Sequence, residues 1–265
     1  VKDPSAACTV HGGIQSIVEK MKGCWIVSSL LVVLIAYILP RIYKIHVERN
    51  LSYPTDTVFG WFAVQTMLKY NTPGVYDAIQ RLDLKENSTL LELCIGPGYG
   101  VQEALFYKGV KVIGVDISPD MVKMARENVQ DAIDAGRASV ELGDAQRMPF
   151  LQDESMDKVF HMNCCYFWDN PEETLKEIFR VMKPGGLMLA GVKFDQLQQW
   201  DAHPAFFKVR DENMFLNALK SVGFKKIKVK KVRLGSSCTG TRAMSGCPVH
   251  EGMHYTAIFA ERPQR

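Results

Sequence analysis

From about residue 89 onward the chain alternates short apolar runs with stretches whose apolar residues recur at helical spacing. Leu90–Leu93 and Val110–Val115 are rich in leucine and β-branched residues, as expected of parallel strands covered on both faces, and Ser139–Leu142, Asp157–Met162 and Leu187–Val192 read as the third to fifth strands. Ser118-Pro119-Asp120 opens a helix in which Met121, Val122, Met124 and Ala125 keep helical spacing until Gly136. Asn170-Pro171-Glu172-Glu173 opens another, with an asparagine cap and two acids in the first turn, and Pro184-Gly185-Gly186 is expected to end it. Lys225–Leu234 alternates basic with apolar residues, a strand with one wet face, and His254–Ala260 is the last strand. This order predicts an α/β fold: a doubly wound, mostly parallel seven-stranded sheet with right-handed crossovers. Ligands of such a sheet bind outside the carboxyl ends of its strands.

The first quarter of the chain follows a different pattern. Gly23–Pro40 is an uncharged run bracketed by Lys22 and Arg41, with Trp25 and Tyr43 near its ends. It is long enough to cross a bilayer, which needs roughly 17–25 apolar residues, and its aromatic rings suit the headgroup level. We therefore assign residues 1–22 to an N-terminal tail and 23–43 to a transmembrane anchor. A cleaved signal peptide fits less well because no small-residue cleavage site follows, and a buried core helix would keep a polar stripe. Basic residues flank the run on both sides, so charge favours a cytosolic C-terminal domain only slightly. Residues 44–88 form a juxtamembrane region. In it Thr57–Tyr70 reads as an amphipathic helix that packs on the following domain, lids its pocket or lies on a membrane surface. Pro73-Gly74 is expected to break this helix, and Val75–Leu82 to form a second short one. The main domain spans 89–265.

Composition narrows the function classes. A chain of 265 residues with 47% hydrophobic composition can bury one substantial core, and a net charge of +3 without an arginine-rich run gives no support for nucleic acid binding. Seven cysteines with no C-x-x-C pair argue against a disulfide framework and a structural zinc site, so no metal is expected and a reducing compartment fits best. Gly235–Gly252 is a long glycine- and serine-rich loop whose Cys238 and Cys247 could pair or bind a metal, but read better as free thiols.

The candidate chemistry lies in Leu90–Asp116, LLELCIGPGYGVQEALFYKGVKVIGVD. Gly96, Gly98 and Gly100 allow a sharp turn and close approach of a ligand. Asp116 ends the second strand, where an acid can hold two ribose hydroxyls. The glycines follow G-x-G-x-G rather than the dinucleotide pattern G-x-G-x-x-G. With Glu92 ahead of them they resemble motif I of the class I S-adenosylmethionine (SAM) methyltransferases, [D/E]-x-G-x-G-x-G, with Cys94 in place of the first glycine. SAM has no phosphates, so an acid near the turn can face its cationic groups while backbone N–H groups meet its carboxylate.

From about Phe59 to Phe194 the resemblance is to the methyltransferase type 11 group of that class, relatives of the ubiquinone/menaquinone C-methyltransferases. The residues that carry it are Glu92–Gly98, Val115–Pro119, Gly143–Phe150, Asp157–Phe160, Asn163–Trp168 and Arg180–Gly186. The resemblance implies a Rossmann-like sheet in which Gly96 and Gly98 line the methionine part of SAM, Glu92 supports the turn, Asp116 holds the ribose and Ile117 packs on the adenine. It further implies that Asp144, with Ala145 beside it, accepts from the adenine amino group, and that Asn163 lies near the sulfonium. Structural roles are open for three of them: Asp144 could cap a turn, Asn163 end a strand and Ile117 belong to the core. No catalytic residue is assigned. Candidates for a base are His161, Tyr166, Asp169, Asp195 and His203, with His161 read as a satisfied core residue. Tyr166, Phe167 and Trp168 either wall the cationic centre or pack the sheet edge. The expectation is a single-pass membrane-anchored methyltransferase, its catalytic domain facing the cytosol, acting on a small-molecule or lipid-like acceptor. The alternatives are a non-catalytic SAM-binding scaffold and an arsenite-type methyltransferase using Cys164, Cys165, Cys238 and Cys247.

Overall fold

A computed structural model describes residues 22, 25–199, 201–234 and 252–264. The loop holding Cys238 and Cys247 lies outside these, as does nearly all of the 1–22 tail. The chain divides into two compact units, Val1–His46 and Val47–Arg265.

The described part of the first unit belongs to one helix, α1, Trp25–Ser52. Its apolar side chains from Trp25 to Ile38 are exposed, Leu30 by 64%. The uncharged run stops at Pro40, yet the helix continues. Residues Leu34–Ile38 form a wider π turn in which the Leu39 N–H bonds to the Leu34 carbonyl. A π turn just ahead of a proline can ease the crowding between its ring and the preceding turn.

In the second unit the strands are β1 Thr89–Leu93, β2 Lys111–Asp116, β3 Ala138–Leu142, β4 Met156–Met162, β5 Met182–Val192, β6 Lys225–Arg233 and β7 His254–Glu261. They form one sheet in the order β3-β2-β1-β4-β5-β7-β6. β1 to β5 are parallel, and β7 runs antiparallel to both β5 and β6. The sheet is the predicted one because its central strands are apolar on both faces, whereas the edge strand β6 is largely exposed. Leu91, Val159, Met188 and Ile258 face one core, and their neighbours Leu90, Phe160, Leu189 and Ala257 face the other. α2 (Val58–Arg81), α3 (Tyr99–Ala104) and α4 (Pro119–Asn128) cover the second face. α6 (Pro171–Val181), α7 (Phe194–Gln199) and α8 (Glu212–Val222) cover the first, and the short α5 (Gln130–Asp134) follows α4. Fully buried Phe160, Phe215 and Phe224 each contribute on the order of 1.5–3 kcal/mol.

Four local expectations are corrected. Pro73-Gly74 does not break the helix: α2 runs through it, and Val75–Leu82 is not separate. An interior proline costs about 3 kcal/mol, but Pro73, Val75, Tyr76, Ala78 and Ile79 are all buried, which outweighs that cost. The helix after Ser118 does not continue to Gly136; it is interrupted at Val129, whose φ of −124° and ψ of 22° are not helical. Pro184-Gly185-Gly186 does not end α6. Met182 is already extended, and the three residues sit in a bulge of β5 where pairing with β4 shifts register. Finally, Cys94 and Cys164 form a disulfide. The spacing argument overlooked it because the partners stand far apart in sequence, at the ends of adjacent strands β1 and β4.

Candidate active site

The strand order reverses between β1 and β4, and a cavity of about 680 Å³ opens at the carboxyl ends around that point. This size suits a small-molecule site, typically about 300–1,000 Å³. Seven predicted residues line it: Glu92, Gly96, Asp116, Ile117, Asp144, Ala145 and Asn163. Gly98 does not. At φ of 87° it opens α3, and a Cβ there would stand 3.1 Å from that of Ala125, so its place is close packing of the turn on α4.

The β1–β2 end is acidic. Asp116 is buried, and its two carboxylate oxygens accept from the Gly96 and Ser118 N–H groups, each at 2.9 Å. The carboxylate thus clamps the glycine turn to the end of β2. Burial pushes Asp116 up to about 6 against these bonds. Burial, aided by the nearby Asp116 charge, pushes Glu92 up to about 8, and its Oε2 is buried with no hydrogen-bond partner among the described residues. Two crowded acids beside Gly96, where a Cβ would meet nothing within 4 Å, suit a cationic ligand with a hydroxylated sugar. SAM fits that description. Ile117 is 46% exposed, so it is not core. Asp144 Oδ1 accepts from the Gln146 N–H at 2.9 Å, so the turn role left open for it is realised alongside its place in the lining. Ser118, the cap of α4, donates from Oγ to the Pro54 carbonyl at 2.7 Å, and the Asp56 N–H donates to Asp120 at 2.9 Å. These bonds hold Tyr53 and Pro54 in the cavity wall.

The β4–β5 end is aromatic and carries a buried cation. Asn163 follows β4 with φ of 53°, Tyr166, Phe167 and Trp168 come next, and Lys193 follows β5. All five line the cavity, and Phe207 packs on Phe167 with ring centroids 5.1 Å apart. The aromatic run therefore walls the cavity and packs the sheet edge at once. Lys193 is 7% exposed, and burial lowers it to about 8, with the Asp195 charge opposing.

Of the candidate bases, His161 is fully buried between Trp168 and Phe215, and burial lowers it to about 3. Neither ring nitrogen has a hydrogen-bond partner among the described residues, so it is a core histidine but not a satisfied one. Tyr166 is buried, Asp169 sits 3.7 Å from Lys208, and the His203 N–H donates to Glu48. Asp195 pairs with His254 at 2.7 Å; the two draw each other apart, Asp195 down and His254 up. Sequence reasoning missed Lys193, Tyr70, Asn71 and the Cys94 pairing. A lysine directly after the apolar run of β5, at a carboxyl strand end, was the available signal for the first. Among the described residues no group of three or more His, Cys, Asp and Glu could hold a metal ion. Cys164 is bridged and Cys165 buried, which leaves no converging thiols there for an arsenite-type site.

Residues 92–190 match the family described as methyltransferase domain. Among curated proteins the chain is similar to phosphoethanolamine N-methyltransferase 2 of Caenorhabditis elegans, 30% identical over 152 residues, covering 53% of this chain and 34% of that protein. It is also similar to demethylmenaquinone methyltransferase of Leptospira interrogans, 32% identical over 126 residues, covering 45% of this chain and 50% of that one. The chain thus spans a third to a half of these relatives. Among solved structures, a Haemonchus contortus phosphoethanolamine N-methyltransferase 2 in complex with S-adenosyl-L-methionine shares the fold, with a TM-score of 0.61 at 20% identity, covering 82% of this chain and 60% of that one.

Proposed function

The chain belongs to the class I SAM-dependent methyltransferases, and from that premise we propose that it transfers the methyl group of SAM to a small or lipid-like acceptor while α1 anchors it in a membrane. The observation that carries this reading is the single cavity joining an acidic end to an apolar, aromatic one. Asp116 offers negative charge at one end and holds the turn that places Gly96, with the Glu92 carboxyl, kept protonated near neutral pH by burial, beside it. Leu51, Met67, Leu68, Leu197, Phe206 and Phe207 line the remainder with apolar surface, enough for a hydrophobic acceptor body.

When bound, SAM supplies an electrophilic methyl group on a cationic sulfur. The work of the chain is then orientation and exclusion of water, and holding two reactants in register can supply much of the acceleration. The ribose belongs on Asp116, the adenine between Ile117 and Asp144, and the acceptor beside Asn163 and Tyr166. An anchor is most useful when the acceptor is itself in the bilayer. An 18-residue apolar window of α1, exposed throughout and roughly 27 Å long, is close to the thickness of a hydrocarbon core of about 30 Å. The use of SAM in the cytosol supports a catalytic domain facing it, while the Cys94–Cys164 disulfide weighs against a reducing compartment.

Calorimetric titration of SAM and its demethylated product into the full chain in detergent micelles tests the cofactor. Micromolar binding of both is expected, and no binding of either overturns the reading. Labelled SAM with membrane lipid extract then tests turnover; tight binding with no transfer to any fraction favours a non-catalytic scaffold. Protease treatment of sealed microsomes tests topology, with digestion of the C-terminal domain from outside expected.

A further inference from the structure

A closed ring of hydrogen bonds crosses the cavity wall at its aromatic end. Lys193 Nζ donates to the Tyr70 carbonyl at 2.7 Å. The next residue, Asn71, accepts at Oδ1 from Asn163 Nδ2 at 2.8 Å. Asn163 Oδ1 accepts from the Tyr166 hydroxyl at 3.0 Å, and that hydroxyl accepts from the Lys193 N–H, closing the circuit. The ring joins α2, the end of β4 and the end of β5, and every member lines the cavity. Strand register sets it up: the Asn163 N–H donates to the Gly191 carbonyl at 2.8 Å, so Asn163 and Lys193 stand side by side at the carboxyl edge.

We propose that this ring is the head-group site for the acceptor, and that Lys193 there holds an oxyanion, a carboxylate, enolate or phenolate, carried on an apolar body. The inference rests on the methyltransferase reading and names its substrate class. An ammonium has three donors. Lys193 Nζ uses one on Tyr70, and among the described residues it has no other partner, which leaves two for a ligand. Its lowered pKa reflects the same apolar surroundings, where a charge-assisted hydrogen bond to an anion is strongest. The other charged side chains in the lining are placed otherwise. Glu92 and Asp116 lie at the opposite end, Asp144 lies beside them, and Asp169 and Lys208 form their own exposed pair. A protonated amine would meet an unpaired buried cation and be rejected.

The step balances with no oxidant or reductant. The acceptor gives its acidic proton to water and binds as the anion. An electron pair on oxygen, or on the carbon of an enolate, forms the new bond to the methyl carbon. The carbon–sulfur bond breaks, its pair stays on sulfur as a neutral thioether, and Lys193 remains protonated throughout.

The test uses the full chain in detergent micelles with the demethylated cofactor bound, titrated with 4-butylbenzoate and with 4-butylbenzylamine, which share a ring and tail and differ in head-group charge. The wild type should bind the benzoate tighter by about 10- to 100-fold, the range of one charged hydrogen bond. Lys193→Met should erase that preference, Lys193→Arg should restore part of it, and both should bind SAM as the wild type does. Equal affinity for the two probes, no benzoate binding, or an unchanged preference in Lys193→Met overturns the proposal. Tyr166→Phe keeps the ring packing and breaks the circuit, so a weakened preference with unaltered SAM affinity is expected. Loss of SAM binding by the wild type itself would instead sink the methyltransferase reading.

Discussion

The two ends of the cavity are built on the same platform, the carboxyl edge of a parallel sheet, and carry opposite charge. At the β1–β2 end two buried acids crowd each other, and backbone N–H groups from Gly96 and Ser118 hold one of them. At the β4–β5 end one buried lysine leans on a helix carbonyl inside an aromatic wall. Placing them at opposite ends of one cavity lets a cationic cofactor and an anionic acceptor each find its complement, and gives each the wrong sign at the other's place. Polarity along the cavity, more than any single residue, decides which molecule goes where.

The comparison breaks most sharply at Asp116. Asp116→Ala removes the ribose acceptor and the clamp on the turn together, and SAM affinity measured by calorimetry should fall at least 100-fold; unchanged affinity would remove the assignment of the acidic end. Next comes the disulfide that staples the two ends. Cys164→Ser should lower unfolding free energy by about 2–4 kcal/mol in non-reducing denaturant titrations and change little in excess dithiothreitol. Equal loss in both buffers would mean that the pair is not a bridge in solution.

A smaller effect separates the ends by pH. Glu92 is raised to about 8 in the folded protein, so the folded state holds a proton that the unfolded chain has released. Stability of the cofactor-free protein should therefore fall as pH rises from about 6 to 8, by on the order of 1 kcal/mol per unit. His254, raised by Asp195, tilts the curve the same way, so the decisive quantity is the difference between wild type and Glu92→Gln, whose slope should be flatter. Thermal melts across this range check it, and parallel slopes would count against the buried acid. The smallest effect is at Asp144, which is exposed. Asp144→Ala should weaken SAM by about fivefold, the worth of one neutral-range hydrogen bond, with acceptor-probe binding unaltered.

The same contrast explains what could be read from the chain alone. The acidic end lies largely within Leu90–Asp116, where glycine spacing and a terminal acid betray it locally. The cationic end is assembled from Tyr70, Asn71, Asn163, Tyr166 and Lys193, and no local pattern joins a helix to the ends of two strands. β1, β2 and β5 were plain because burial on both faces makes them nearly continuously apolar, and β6 because its lysines alternate with apolar residues. Pro73 misled because propensity was read without the tertiary burial that overrides it. α8 escaped notice although its signals were present, an Asp211 cap at the start and Gly223 with φ of 107° at the end.

Pro73 itself has one more consequence. It has no N–H to give the Lys69 carbonyl four residues before it, so the ladder of α2 lacks a rung beside the Tyr70 carbonyl, which accepts from Lys193. The lysine therefore works as a guy-rope on the weakest turn of the helix. Cut it, and that turn is free to carry Asn71 away from Asn163.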